Sequence, residues 1–136
     1  MQSGRVAYHF VEHVGEVELE LEAPSEAGIF DAALAAFAEL AAADGSGEPA
    51  AHEVELAAPD RALLLVDWLN ELIYLAEVER FVPEHVASIQ IAGGRLHATV
   101  AGHRDQPRHL VKGVALNNLE LVEERGGWHG RVVLDV

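Results

Sequence analysis

Hydrophobic and polar residues alternate strictly over residues 17–22, and this period of two predicts a β-strand. The apolar members of the strand, which we expect to face the core, are Val17, Leu19 and Leu21. Ser25 follows the strand and is a typical N-cap residue for a helix. From residue 26 to about residue 43 the apolar residues recur at helical spacing, which predicts an amphipathic helix.

A second helix is predicted from residue 61 to about residue 79, with Asp60 as its N-cap. Apolar residues cover most of its circumference, so we expect it to be buried on several sides, with three large side chains in the core: Trp68, Leu69 and Leu72. Its polar residues share one stripe at spacings of three and four: Asp67, Asn70, Glu71 and Tyr74. The stripe is either a solvated face or a pairing surface for a basic partner, and the periodicity leaves both open.

The rest of the chain consists of short apolar and alternating runs separated by turn residues, which predicts β-structure. The predicted strands cover residues 52–56, 88–92, 95–101, 111–123 and 128–136. Gly93 and Gly94 form a two-residue hairpin signal, and residues 102–107 are predicted to form a loop. The order strand, helix, strand, helix, four strands predicts a single α+β domain over residues 1–136. In it, two helices pack on a largely antiparallel or mixed sheet.

Composition narrows the class of protein. Half of the 136 residues are hydrophobic and 24% are charged, which is typical of one globular domain. The absence of cysteine excludes disulfides, thiolate zinc sites and a cysteine nucleophile. The first residues lack the apolar core of a signal peptide, and the longest strongly apolar stretch is too short to cross a bilayer. We therefore expect a cytoplasmic protein without membrane contact.

The net charge bears on the choice of partner. With 9 Lys and Arg residues against 23 Asp and Glu residues, the chain carries a formal charge of −14. Because nucleic-acid affinity rests mainly on Lys and Arg contacts to phosphate, we expect no tight direct binding of nucleic acid. A role in RNA metabolism would then act through another protein, although strong acidity also serves solubility alone.

Few residues are arranged for covalent chemistry. No phosphate-loop, dinucleotide-binding, serine hydrolase or zinc protease motif occurs. Asp135 precedes Val136, the last residue of the sequence, so a side-chain carboxylate and the terminal carboxylate lie within one residue of each other. Clustered carboxylate oxygens are the ligands that Ca²⁺ and Mg²⁺ prefer, but an Asp at this position is also typical of a frayed chain end.

Four segments resemble the archease family in the family's own order. Residues 60–75, DRALLLVDWLNELIYL, closely resemble its marker helix. Residues 10–16, FVEHVGE, resemble its amino-terminal motif, in which a His is followed three residues later by an Asp. Residues 110–114, LVKGV, are similar to its VKAVT stretch, and residues 128–136 are similar to its closing strand. The resemblance spans essentially the whole chain.

The resemblance implies an accessory protein and not an enzyme. Archeases are small acidic α+β proteins that assist RtcB-type RNA ligases in tRNA splicing and RNA repair by promoting guanylylation and multiple turnover. By motif, the resemblance implies a divalent-cation site at Glu16, Asp135 and the terminal carboxylate of Val136. The implied cation is Ca²⁺ first, with Mg²⁺ or Mn²⁺ as alternatives. The family's functionally important lysine matches Lys112.

One position departs from the family motif, because Glu16 stands where the family has Asp. The longer side chain suits the adaptable Ca²⁺ shell better than the strict Mg²⁺ octahedron. Two other functions stay open at this point. One is a small metal-dependent enzyme that uses Glu16, Asp135 and Lys112, and the other is a metal-binding interaction module without a ligase role.

Overall fold

A computed structural model describes residues 5–136, so residues 1–4, on which the expectation about a signal peptide partly rests, lie outside the described residues. In chain order the elements are β1 (Ala7–His13), β2 (Glu16–Ala23), α1 (Glu26–Ala41), β3 (Pro49–Ala57), α2 (Arg61–Glu77), β4 (Phe81–Ala92), β5 (Arg95–Arg104), β6 (Gly113–Glu124) and β7 (Gly127–Asp135).

The strands form two antiparallel sheets. One sheet has the order β1-β2-β7-β6 and the other has the order β3-β5-β4. The sequence predicted one sheet and placed no separate strand before β2, so β1 and the division into two sheets correct that prediction. Tyr8 and Phe10 do alternate toward the core, but Val11 is exposed on the other face and hides the period.

Both helices begin at the predicted caps. The Ser25 side chain accepts a hydrogen bond from the Gly28 N–H at 3.1 Å, and the Asp60 side chain accepts one from the Leu63 N–H at 2.8 Å. Both helices end two residues before the predicted positions. In α1 the cause is Ala42, which takes a left-handed conformation with a φ of 53° and closes the helix.

A single core joins the two sheets through the helices. Helix α1 packs against β2 and β4, and α2 packs against β6, β4 and β3, so each helix contacts both sheets. The predicted core residues of α2 are fully buried, with exposed fractions of 0%: Trp68, Leu69 and Leu72. The predicted inward face of β2 is also buried: Val17, Leu19 and Leu21. The single α+β domain is therefore confirmed.

Strand ends differ from prediction where the alternation is interrupted. Strand β4 begins at Phe81 instead of Ser88, because two irregularities in its pairing with β5 disturb the period. Strand β5 continues to Arg104, into the segment predicted as a loop. The hairpin at Gly93 and Gly94 is confirmed, and both residues have the positive φ that such a turn requires, 58° and 77°.

Candidate functional site

Strand pairing brings Glu16 and Asp135 together from opposite ends of the sequence. Strands β2 and β7 are neighbours, and their register places Glu16 directly opposite Asp135. The Val136 N–H donates to the Gly15 carbonyl oxygen at 3.1 Å, which makes the pair a non-hydrogen-bonded one. Side chains approach each other most closely in such a pair, so the two carboxylates are immediate neighbours on one face of the sheet.

Neither carboxylate of this pair forms an ion pair with a basic side chain of the described residues, although His13 of β1 lies opposite Glu16 in the strand register. Glu16 and Asp135 are both half-buried, and no ion pair formed within residues 5–136 includes either of them. The same strand shows the opposite situation at Glu20, which lies opposite Arg131. Because like charges directly opposite each other destabilise a sheet, the Glu16–Asp135 pair is a local concentration of negative charge that favours a cation.

The donor chemistry at this pair fits a hard divalent cation. Carboxylate oxygens are the ligands that Ca²⁺ takes, in a shell of variable geometry. Gly113 lies opposite Asp135 on the β6 side, and a Cβ built there would be 4.0 Å from Asp135 Oδ2, so the absence of a side chain at Gly113 leaves space beside that carboxylate. Among the described residues no three His, Asp or Glu side chains converge as a metal site, so the pair requires a further donor such as a carboxylate at Val136.

Lys112 adjoins Asp135 through the backbone, and no ion pair formed within residues 5–136 joins its side chain to Glu16 or Asp135. The Lys112 N–H donates to the Asp135 carbonyl oxygen at 2.7 Å, which ties the segment before β6 to the end of β7. The exposed Lys112 lines a groove, whereas neither Glu16 nor Asp135 contributes to that groove. The structure therefore brings Glu16 and Asp135 together as neighbours on the sheet, and it brings Lys112 and Val136 together in the groove beside them.

The groove has a volume of about 780 Å³. Its floor is apolar and comes from β1, β2, α1 and the segment before β6: Phe10, Val17, Leu40 and Val111. Two acidic residues and a basic segment stand around the floor: Glu12, Glu39, Arg108, His109 and Lys112. We refer to this cleft as the Lys112 groove.

Sequence reasoning missed the Lys112 groove, because its residues are scattered and follow no period. One signal was present, since Lys112 is the only lysine in the chain and lies close to Arg104, Arg108 and His109 in an otherwise acidic sequence. Because the chain as a whole carries a charge of −14, a local cluster of basic residues creates a region whose electrostatic potential is less negative than that of the rest of the surface.

Glu39 is held at the groove by Tyr8. The Tyr8 hydroxyl donates to Glu39 Oε1 at 2.6 Å, which joins β1 to α1. This hydrogen bond, together with partial burial and repulsion from the Glu39 charge, raises the pKa of Tyr8 above its usual value of 10.0. One acidic position of the groove is therefore fixed before any ligand arrives.

The fold and the site define a small two-sheet α+β protein whose β2 and β7 carry an uncompensated carboxylate pair at one end. Residues 8–136 match the Archease protein family (MTH1598/TM1083). The chain therefore belongs to the archease family.

Relatives of known name and structure agree with this assignment. Protein archease of Methanosarcina mazei is 32% identical over 146 aligned positions that cover 100% of both chains. The archease of Methanothermobacter thermautotrophicus is 34% identical, covering 78% of this chain and 81% of its own. The solution structure of protein 1598 of Methanobacterium thermoautotrophicum is similar with a TM-score of 0.70 and 26% identity, covering 95% of this chain and 98% of its own.

A second solved structure shows the same fold at lower identity. The crystal structure of a Thermotoga maritima archease, described as a "possible chaperone", has a TM-score of 0.69 and 18% identity, and covers 93% of this chain and 94% of its own. The relatives carry the name archease and are not named for a catalytic activity. In the part of the chain that the structure describes, no helix is long and apolar enough to span a membrane.

Proposed function

We propose that this protein is a non-catalytic, metal-binding activator of an RtcB-type RNA ligase, acting in tRNA splicing or RNA repair. The observation that carries the proposal is the Glu16–Asp135 pair, two like charges held directly opposite each other without a basic partner among the described residues. A bound cation would offset the repulsion between the two carboxylates and would thereby stabilise the folded state. Family membership supports the choice of ligase as partner.

Each residue has a distinct part in the proposal. Glu16, Asp135 and the carboxylate of Val136 hold the cation, Ca²⁺ first and Mg²⁺ or Mn²⁺ as alternatives. A bound divalent cation supplies positive charge that offsets the repulsion between the carboxylates. Lys112, on the groove beside them, contacts a phosphate or an acidic residue of the ligase near its nucleotide site.

The net charge supports action through a protein partner. A chain of charge −14 repels the phosphate backbone over most of its surface, so the ligase and not this protein holds the RNA. The protein then acts on the state of the ligase, by promoting its guanylylation and its release for further turnovers.

The test is a reconstituted ligation assay. An RtcB-type ligase is supplied with GTP, Mn²⁺ and RNA ends bearing a 3′-phosphate and a 5′-hydroxyl, and guanylylation and multiple-turnover ligation are measured with and without this protein. We expect acceleration by the wild type and its loss in Asp135→Asn and Lys112→Ala. The matched control is Glu22→Gln, an exposed residue on β2 opposite His129.

Three results would overturn the proposal. Ligation by this protein alone would make it an enzyme. No effect of the wild type on the ligase would remove the ligase role and leave a metal-binding interaction module. Full activation by Asp135→Asn would show that activation of the ligase does not depend on the carboxylate pair.

A further inference from the structure

We propose that the Lys112 groove binds an extended peptide segment of a partner protein, in which a large apolar side chain lies next to an Asp or Glu. The identification of that partner as the ligase rests on the proposed function. The peptide chemistry rests on the groove alone.

The groove contains an apolar surface that is accessible to a ligand. Its floor is formed by apolar side chains, and Leu110 at its margin is 50% exposed although it is apolar. Val136 also lines the groove and is 39% exposed. Apolar residues left open around a concave surface are typical of a binding site for a partner's side chain.

The basic residues of the groove lie on one segment and its acidic residues lie on β1 and α1, so an anionic group is favoured only beside the basic segment. Arg108 and Lys112 line it, and no ion pair formed within residues 5–136 includes either of them. Glu12 and Glu39 also line it and disfavour a second negative charge. One carboxylate on the ligand, placed against the basic segment, therefore complements the groove.

The basic segment is fixed in place before binding. The N–H groups of Arg108 and His109 donate to the Ala41 carbonyl oxygen at 2.8 and 3.3 Å, and the Lys112 N–H donates to Asp135 at 2.7 Å. These bonds anchor the segment to the end of α1 and to the end of β7. A preorganised groove loses little entropy on binding, which favours a short peptide as a sufficient ligand.

Strand β1 offers main-chain groups that an extended peptide could bind. It contributes Phe10 and Glu12 to the groove and lies at the edge of its sheet, so one row of its backbone groups has no strand partner among the described residues. Extended peptides bind such edges through backbone hydrogen bonds while side chains enter neighbouring pockets. A nucleic acid would instead bring repeated phosphates toward Glu12 and Glu39, which repel them.

Peptide selection on the full-length protein tests the groove without the ligase. A random dodecapeptide display library is selected against the wild type, Leu110→Asp and Arg108→Gln. The matched controls are Leu116→Asp, which is 61% exposed on β6, and Arg125→Gln, which is exposed in the turn after β6. We expect peptides that combine a large apolar residue with Asp or Glu, and about tenfold weaker binding to the groove variants only.

The ligase assay separates the groove from the proposed function. If the wild type activates the ligase, Leu110→Asp and Arg108→Gln should weaken ligase binding about tenfold while both controls bind normally. If the wild type has no effect on the ligase, the proposed function fails. The peptide selection then tests by itself whether the groove binds a peptide. No enrichment, enrichment of basic peptides, or equal binding to groove variants and controls overturns the inference. Circular dichroism of each variant verifies that it is folded.

Discussion

The position of Glu16 follows from its neighbours. Val17 and Leu19 face the core, and because side chains alternate along a strand, Glu16 must lie on the opposite face. A shift of one residue in the pairing of β2 with β7 would turn the apolar residues outward, so the register is strongly specified. The same hydrophobic pattern that forms the core therefore holds Glu16 opposite Asp135.

The first prediction concerns metal and stability. Adding Ca²⁺ or Mn²⁺ at about a hundredfold excess over its Kd should raise the Tm by roughly 5–10 °C, because binding to the folded state alone stabilises it. Asp135→Ala should abolish the rise. Glu16→Asp should keep or strengthen it, since the family motif has Asp there. Differential scanning calorimetry with and without a chelator provides the measurement.

Two controls make the metal prediction specific. Glu22→Ala, on the same strand but outside the pair, should leave the metal-induced rise in Tm unchanged. An extension beyond Val136 should weaken it, because the extension removes the terminal carboxylate. A metal-induced rise that survives in Asp135→Ala would place the cation elsewhere.

The second prediction uses the raised pKa of Tyr8. A phenol whose pKa is raised by folding stabilises the protein fully below its unfolded pKa, about 10, and this stabilisation is lost as the pH rises through the folded pKa. Tyr8→Phe should therefore lower the free energy of unfolding at pH 8, and the difference from the wild type should shrink above pH 10. Urea unfolding at several pH values measures it. A difference independent of pH would indicate lost packing and no contribution from the Glu39 hydrogen bond.

The site could be predicted from sequence only in part, for a physical reason. Alternation placed Glu16 on the outer face of β2, but its partner depends on a pairing between distant segments that no local pattern encodes. Asp135 and Lys112 were identified by resemblance to a family. From local sequence alone, a frayed chain end was the better explanation of Asp135. The Lys112 groove is formed by five separate segments and was not predicted.

At the level of elements, α2 is the centre of the structure. It packs against both sheets, and Trp68 is fully buried on it. The indole N–H of Trp68 donates to the Phe30 carbonyl oxygen at 3.0 Å, and the two rings meet edge to face at 5.9 Å. Trp68 therefore joins α2 to α1 by packing and by a satisfied polar contact.

The third prediction is the cost of removing that contact. Trp68→Ala should lower the free energy of unfolding by about 3–5 kcal/mol, as large truncations in a core do. Tyr74→Ala on the same helix, at a position 48% exposed, should change it by less than about 0.5 kcal/mol. Denaturant unfolding of both variants gives the comparison. Similar losses for the two variants would mean that the burial of α2 does not control stability.

Elements were predictable where sequence and environment agree. The two helix caps and the alternation of β2 are local features, and each was found where predicted. Strand β1 was missed because it is an edge strand with one apolar residue, Val11, on its solvent face. The early part of β4 was missed because irregular pairing breaks the period of two. Tertiary pairing, which local propensity does not encode, decides these segments.

At the level of the whole molecule, we expect the charge of −14 to disfavour direct contact with RNA. The fourth prediction is that the isolated protein binds a tRNA-sized RNA with a Kd weaker than about 100 µM at physiological salt. Fluorescence anisotropy at two salt concentrations measures it. A variant with less negative charge at the two half-buried acidic positions of the α2 polar stripe, Glu71→Gln with Asp67→Asn, should bind no more weakly than the wild type. Tight, salt-sensitive binding by the wild type would give the protein a direct role in holding RNA.

Val136 belongs to both halves of the site. Its N–H is bonded to Gly15 beside Glu16, and the residue also lines the Lys112 groove. If the carboxylate pair binds a cation and the groove binds a peptide, a ligand that orders Val136 on either side changes the cost of ordering it on the other, and the two binding events are thermodynamically linked. Thermodynamic linkage requires the two coupling factors to be equal. The factor by which saturating Ca²⁺ tightens a selected peptide must equal the factor by which that peptide tightens Ca²⁺, and titration calorimetry of both arms measures it. We expect each ligand to lower the Kd of the other a few-fold, and we expect a smaller effect in Val136→Gly. If neither ligand changes the Kd of the other, cation and peptide bind independently.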